Sequence, residues 1–145
     1  MGRTAKPEYL ERTPHVIDWL KQGFALARRE ESAGIVIVMQ GNPAFKHFAA
    51  GLGHSGFRDL LDALRQETLG FPGQVLLIHG DTHWHRIDKP LRDRASGRRV
   101  ENFTRLETFG YPIMGWAKVI IDTESPSLFR FESHSYTPAP IAEQR

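Results

Sequence analysis

Hydrophobic positions along this chain change their period twice. Ile17, Leu20, Phe24 and Ala27 recur at intervals of three and four, the spacing that lines one face of an α-helix, and the run ends at Arg28-Arg29. Thr13 offers an N-cap, and Pro14 suits the first helical position, where a missing N–H costs nothing. A surface helix over residues 14–31 is predicted. Ala33-Gly34 interrupts the period, and Ile35-Val36-Ile37-Val38-Met39 follows without polar alternation, the pattern of a strand covered on both faces. Gly51 to Gly56 reads as a flexible loop, with Ser55 able to cap a second helix. That helix carries Phe57, Leu60, Leu61, Leu64 and Thr68 on one side and stops at Gly70-Phe71-Pro72-Gly73. Val75-Leu76-Leu77-Ile78 is the second short apolar run.

The order helix, strand, helix, strand favours a parallel strand pair joined by a crossover. In the last third, Trp116–Asp122 and the alternating run Leu128–Glu132 flank a Thr-Glu-Ser-Pro-Ser turn, which predicts an antiparallel hairpin at the sheet edge or on one face. Between them, residues 88–108 read as a connection that carries the basic, glycine-broken segment Arg92–Arg99. The tail from Tyr136, with Pro138 and Pro140, is expected to fray. The 145 residues suit one compact α/β domain that can bury a core without disulfide or metal staples.

Composition narrows the chemistry. There are 19 Lys and Arg against 17 Asp and Glu, a formal charge of only +2, so overall charge gives no argument for nucleic acid. The absence of cysteine excludes thiolate zinc sites and a cysteine nucleophile. The first residues lack the apolar core of a signal peptide, and no stretch approaches the roughly 20 apolar residues that span a bilayer. The default expectation is a cytoplasmic protein that does not enter membranes. An extracytoplasmic site is expected only if an N-terminal part precedes this chain.

The two apolar runs end in polar clusters, Gln40-Gly41-Asn42 and His79-Gly80-Asp81-Thr82-His83. Open α/β sheets keep their chemistry at the carboxyl ends of parallel strands, so if the strands are neighbours the clusters face each other. Imidazole with carboxylate suits Zn, Mn or Fe, and a bound metal would lower the pKa of its water toward ~7 and supply a hydroxide nucleophile. Asp81 and His83 are therefore candidate ligands, while Asp81 would equally cap backbone amides in an ordinary Asx-type turn. Gln40 and Asn42 can add amide oxygens, and the Asn42 NH₂ can hold a phosphate oxygen. His85 alternates away from His83 in an extended chain and is read as a surface residue. His54, in its glycine-rich loop, can hold phosphate or donate a proton. Arg105 can orient a substrate anion or pair with Glu107, and the sequence leaves both open. Segment 92–99 has no interleaved aromatic residues and reads as a solvated loop, so nucleic-acid binding is not expected.

Gly80-Asp81-Thr82-His83 resembles the G-H-x-H block that closes calcineurin-like metallophosphoesterases. The longer string HGDTHWHRIDKPL, followed by NFTRLETFG and the Trp116, Val119, Asp122 pattern, resembles one bacterial branch of that superfamily. The similarity runs from about Glu11 to Phe131 and implies a partial metallophosphoesterase-like β-sandwich with flanking helices. It also implies a dinuclear centre of divalent ions (Mn, Fe or Zn) acting on a phosphate-ester substrate. His83 falls on a ligand histidine of the block, Asp81 on its other histidine, and the family's isolated strand-end histidine falls near Gln40 or Asn42. The earlier blocks D-x-H, G-D-x-x and G-N-H-[DE] do not occur before residue 40, since Asp18 precedes Trp19-Leu20 and Gly41-Asn42 precedes Pro43. The resemblance is thus to the C-terminal half of the domain, either in a truncated enzyme or in a non-catalytic metal- or phosphate-binding remnant. Sheet edges left open by the absent half would invite homo-oligomerisation.

Overall fold

The computed structural model describes residues 7–51 and 56–136, with side chains from Leu10 onward. Helix α1 spans Pro7–Arg29 and buries the expected stripe, Leu20, Phe24 and Ala27, with Ile17 partly covered beside them. Its start differs from expectation. Pro14 lies inside the helix and leaves the Leu10 carbonyl without its N–H. The first turns bury little, with Leu10 and Val16 exposed, so few packing contacts depend on the interrupted bond. At the other end, Ser32 N–H bonds the Ala27 carbonyl and Glu31 N–H that of Arg28, with Glu31 left-handed at φ 51°. This is a Schellman stop built on glutamate rather than glycine.

Strand β1 (Gly34–Val38) pairs in parallel with β2 (Gln74–His79), Val36 opposite Leu76, as the order of elements predicts. The connection between them holds a five-residue helix α2 (Phe45–Ala49) and helix α3 (Arg58–Leu69), whose Leu61, Leu64 and Thr68 are buried. Ser55, the expected cap, lies outside the described residues. The segment read as a connection contains strand β4 (Phe103–Glu107) and begins at the last residue of a further short strand, β3 (Arg86–Asp88). The sheet order is β1-β2-β4-β3, with β4 parallel to β2 and β3 antiparallel to β4, so β4 is a central strand. On its helix-covered face stand Phe103, Arg105 and Glu107, and the charged residues there hide the apolar run that marks a strand buried on both faces.

Helices α1 and α3 cover one face of the sheet, where Phe24, Leu61 and Leu64 meet Val75, Leu77 and Phe103. The other face carries a hairpin of β5 (Met114–Ile121) and β6 (Phe129–Tyr136), a separate two-stranded sheet whose Phe129 packs with Leu76 and Leu106. Its turn closes at Leu128, buried and left-handed at φ 58°. A Cβ on Gly34 would stand 2.3 Å from the Leu128 side chain, so the turn reaches β1 only because position 34 is glycine. Cover stops there. Val36 is 44% and Val38 71% exposed, which corrects the expectation that β1 is buried on both sides. Strand β1 is at the sheet edge, and among the described residues its outer side has no strand partner. No helix among the described residues is long and apolar enough to cross a membrane.

Candidate functional site

Because β1 and β2 run parallel and side by side, the chain leaves both at the same edge of the sheet, and the two polar clusters meet. Gly80 N–H donates to the Gln40 carbonyl at 3.2 Å, and Asn42 N–H donates to Asp81 Oδ2 at 3.1 Å. Asn42 Nδ2 donates to Thr82 Oγ1 at 3.3 Å, and the Gln40 carboxamide lies beside Gly80. Asp81 and His83 both hold left-handed backbone, φ 81° and 61°, which is uncommon for residues with a Cβ and gathers at functional sites.

Three histidines surround this turn, and each sets a ring Nδ1 against a backbone carbonyl at 2.9 Å: His79 on Gly80, His83 on Tyr111 and His85 on Glu107. A carbonyl only accepts, so in the neutral ring the proton sits on Nδ1 and Nε2 carries the lone pair. The three Nε2 atoms differ in surroundings. That of His85 meets Ser133 Oγ at 2.8 Å while the half-buried ring stacks on Phe109, so His85 joins sheet to hairpin. That of His79 is buried and, among the described residues, has no hydrogen-bond partner; it lies 3.9 Å from Glu107 Oε2. His83 is exposed, and its imidazole fills the space a Cβ on Gly110 would need, 2.3 Å from the ring.

Below the turn lies a charge ladder, buried on β4 and reaching solvent on β3, that the sequence did not reveal. Glu107, on β4, is fully buried and accepts the Thr82 hydroxyl together with Arg86 Nε at 2.7 Å and Nη2 at 2.6 Å. Burial is the largest single influence on Glu107 and pushes its pKa up. The hydrogen bonds from Thr82 and Arg86, with the charges of Arg86 and His79, outweigh it and hold the pKa below the usual carboxylate value. One step down the same strands, buried Arg105 grips both oxygens of Asp88, with Nε at 2.7 Å, and lies over the Phe45 ring. Its partner is therefore Asp88 and not Glu107, because β3 runs antiparallel and sets Asp88 opposite Arg105. The alternation of Arg86 with Asp88 and of Arg105 with Glu107 is the one signal that could have shown these pairs.

Asn102, the first residue of the NFTR string, donates through Nδ2 to the carbonyls of Thr68, Phe71 and Gly73, each at 3.0 Å, and ties down the α3–β2 loop. His54 lies outside the described residues. Among the described residues no three His, Asp or Glu side chains converge on a position that could hold a metal ion. Comparison with protein-family models, with curated proteins and with solved structures finds no match to this chain.

Proposed function

We propose that this chain carries one wall of a metal-dependent phosphoesterase site of the calcineurin-like kind, with His83 and Asp81 as metal ligands and Asn42 beside them. The observation that supports it most is His83. Its Nδ1–H donates to a backbone carbonyl while Nε2 is left exposed, which is how proteins orient a metal-binding imidazole. The meeting of Asn42 with Asp81 and Thr82 adds an amide and a carboxylate at the same sheet edge. A metal there would polarise a phosphoryl oxygen and supply hydroxide near neutral pH. A dinuclear centre needs ligands beyond these, and we assign them to chain docked along the open side of β1, either further strands of the same domain or a second copy.

The alternative, a binding remnant without turnover, is favoured by one feature. Asp81 Oδ2 already accepts the Asn42 N–H, the capping role of an ordinary turn. Manganese titration followed by electron paramagnetic resonance, in parallel with hydrolysis of p-nitrophenyl phosphate, separates the two. Metal uptake with turnover, both lost in His83→Ala, supports the esterase, and uptake without turnover supports the remnant. No uptake by the wild-type chain at millimolar manganese overturns both.

A further inference from the structure

Away from the strand ends, an open cavity of about 440 Å³ lies between α2, the first turns of α3 and the loop that follows β3. Arg58, Arg65, Arg92 and Arg94 line it together with Asp62, Asp93 and the ring of Phe48. The two carboxylates of the lining stand against four guanidiniums. Arg65 pairs with Asp62 and lies over Phe48, 4.9 Å from the ring centre. Asp93 turns its carboxylate into its own loop, where it accepts Ala95 N–H at 3.1 Å, Ser96 N–H at 3.2 Å and the Ser96 hydroxyl at 2.5 Å. Arg92 and Arg94 are exposed, and among the described residues neither guanidinium meets a carboxylate or a carbonyl.

The loop that presents them is held firmly. Buried Leu91 and Val100 anchor its two ends, joined by Val100 N–H to the Leu91 carbonyl at 3.0 Å. Arg92 and Arg99 form a β-bridge, and Asp93 N–H bonds the Arg98 carbonyl at 2.9 Å. A preorganised loop spends little ordering entropy when it engages a ligand. Four arginines against two aspartates leave the lining a net charge of +2, which matches the −1.5 to −2 or so that a phosphomonoester carries at neutral pH. Volumes of roughly 300–1,000 Å³ suit small organic molecules, and this cavity has an aromatic side.

We propose that this cavity binds a small organic phosphate, its phosphoryl group between Arg92 and Arg94 and its apolar part against Phe48. The site shares no residue with the strand-end turns, so it stands or falls apart from the phosphoesterase reading. The test is calorimetric titration of the whole chain with AMP at low salt in EDTA, where no divalent metal takes part. Saturable binding of one AMP per chain is expected. Arg92→Gln and Arg94→Gln should each weaken it about tenfold, the loss that follows removal of one charged hydrogen-bonding partner. Arg98→Gln removes the same charge from the same loop outside the cavity and should leave the affinity unchanged, as should His83→Ala. Circular dichroism of the variants, all at exposed positions, confirms that they fold. Absence of saturable binding, equal weakening by Arg98→Gln, or inorganic phosphate or adenosine binding as tightly as AMP would each overturn the proposal. So would tighter binding of a single-stranded oligonucleotide through the same two arginines.

Discussion

Replacing Arg86 by methionine probes the charge ladder beneath the candidate site. The methionine keeps most of the apolar stem but removes both donors that Arg86 gives to Glu107 Oε2, at 2.7 and 2.6 Å. Glu107 is then a buried carboxylate left with the Thr82 hydroxyl and a histidine edge 3.9 Å away. Breaking a fully buried pair costs about 3–5 kcal/mol. The Arg86 side chain is 28% exposed, so water reaches part of the vacated position, and we expect about 2–3 kcal/mol. For a chain of this size that lowers Tm by roughly 10 °C, and urea unfolding should show a lower midpoint at unchanged slope. The pH dependence gives a second check. The folded pKa of Glu107 is depressed, so its charge contributes stability that is present above the unfolded value near 4.5 and is lost as pH falls through the folded value. The penalty of Arg86→Met should therefore be full at pH 7 and shrink at low pH. Glu107→Gln combined with Arg86→Met should cost less than the two single changes added together. A penalty under about 0.5 kcal/mol at pH 7, or one that does not change down to pH 3, would refute the ladder as a source of stability.

Three further outcomes are expected. Asn102→Asp turns a carboxylate toward the carbonyls of Thr68, Phe71 and Gly73 and should cost about 3 kcal/mol or more at pH 7, against about 2 for Asn102→Ala, by urea unfolding. Glu31→Gly relieves the left-handed residue at φ 51° that ends α1 and should stabilise by about 0.5–1 kcal/mol, raising the urea midpoint. Gly110→Ala places a methyl group 2.3 Å from the His83 ring and should displace it, seen as large shifts of the His83 ring resonances and weaker manganese binding with the fold intact. Unmoved His83 resonances would show that the imidazole is not held where the geometry puts it.

The parts legible in the sequence are those that bury one side only. Leu20, Phe24, Leu61, Leu64 and Thr68 meet the sheet because a helix can cover it with a single stripe, and that stripe is periodic. The parallel pairing of β1 with β2 and the meeting of Asn42 with Asp81 followed from the order of elements and the positions of the strand ends. Strand β4 was not legible. Arg105 and Glu107 are tolerated in the interior only because Asp88 and Arg86 arrive from β3, 17 and 21 residues earlier, and nothing local announces such a pairing. The outward face of β1 misled for the opposite reason. Val36 and Val38 have the composition of a covered strand, yet the hairpin reaches β1 only at Gly34 and leaves the rest of its outer face open.

The same ladder bears on why the strand-end turn keeps its unusual backbone. Two non-glycine residues in left-handed conformation, Asp81 and His83, would relax unless their neighbours were fixed, since each such residue costs roughly 1–2 kcal/mol. Three anchors hold the segment: Asp81 to the Asn42 N–H, Thr82 to Glu107, and His83 to the Tyr111 carbonyl. Only Thr82 reaches a buried charge, and that charge is itself held by Arg86. The orientation of His83 therefore depends on an ion pair one layer below it. The buried residues of β4 that obscured the fold in the sequence are the ones that connect its stability to the geometry of the candidate site.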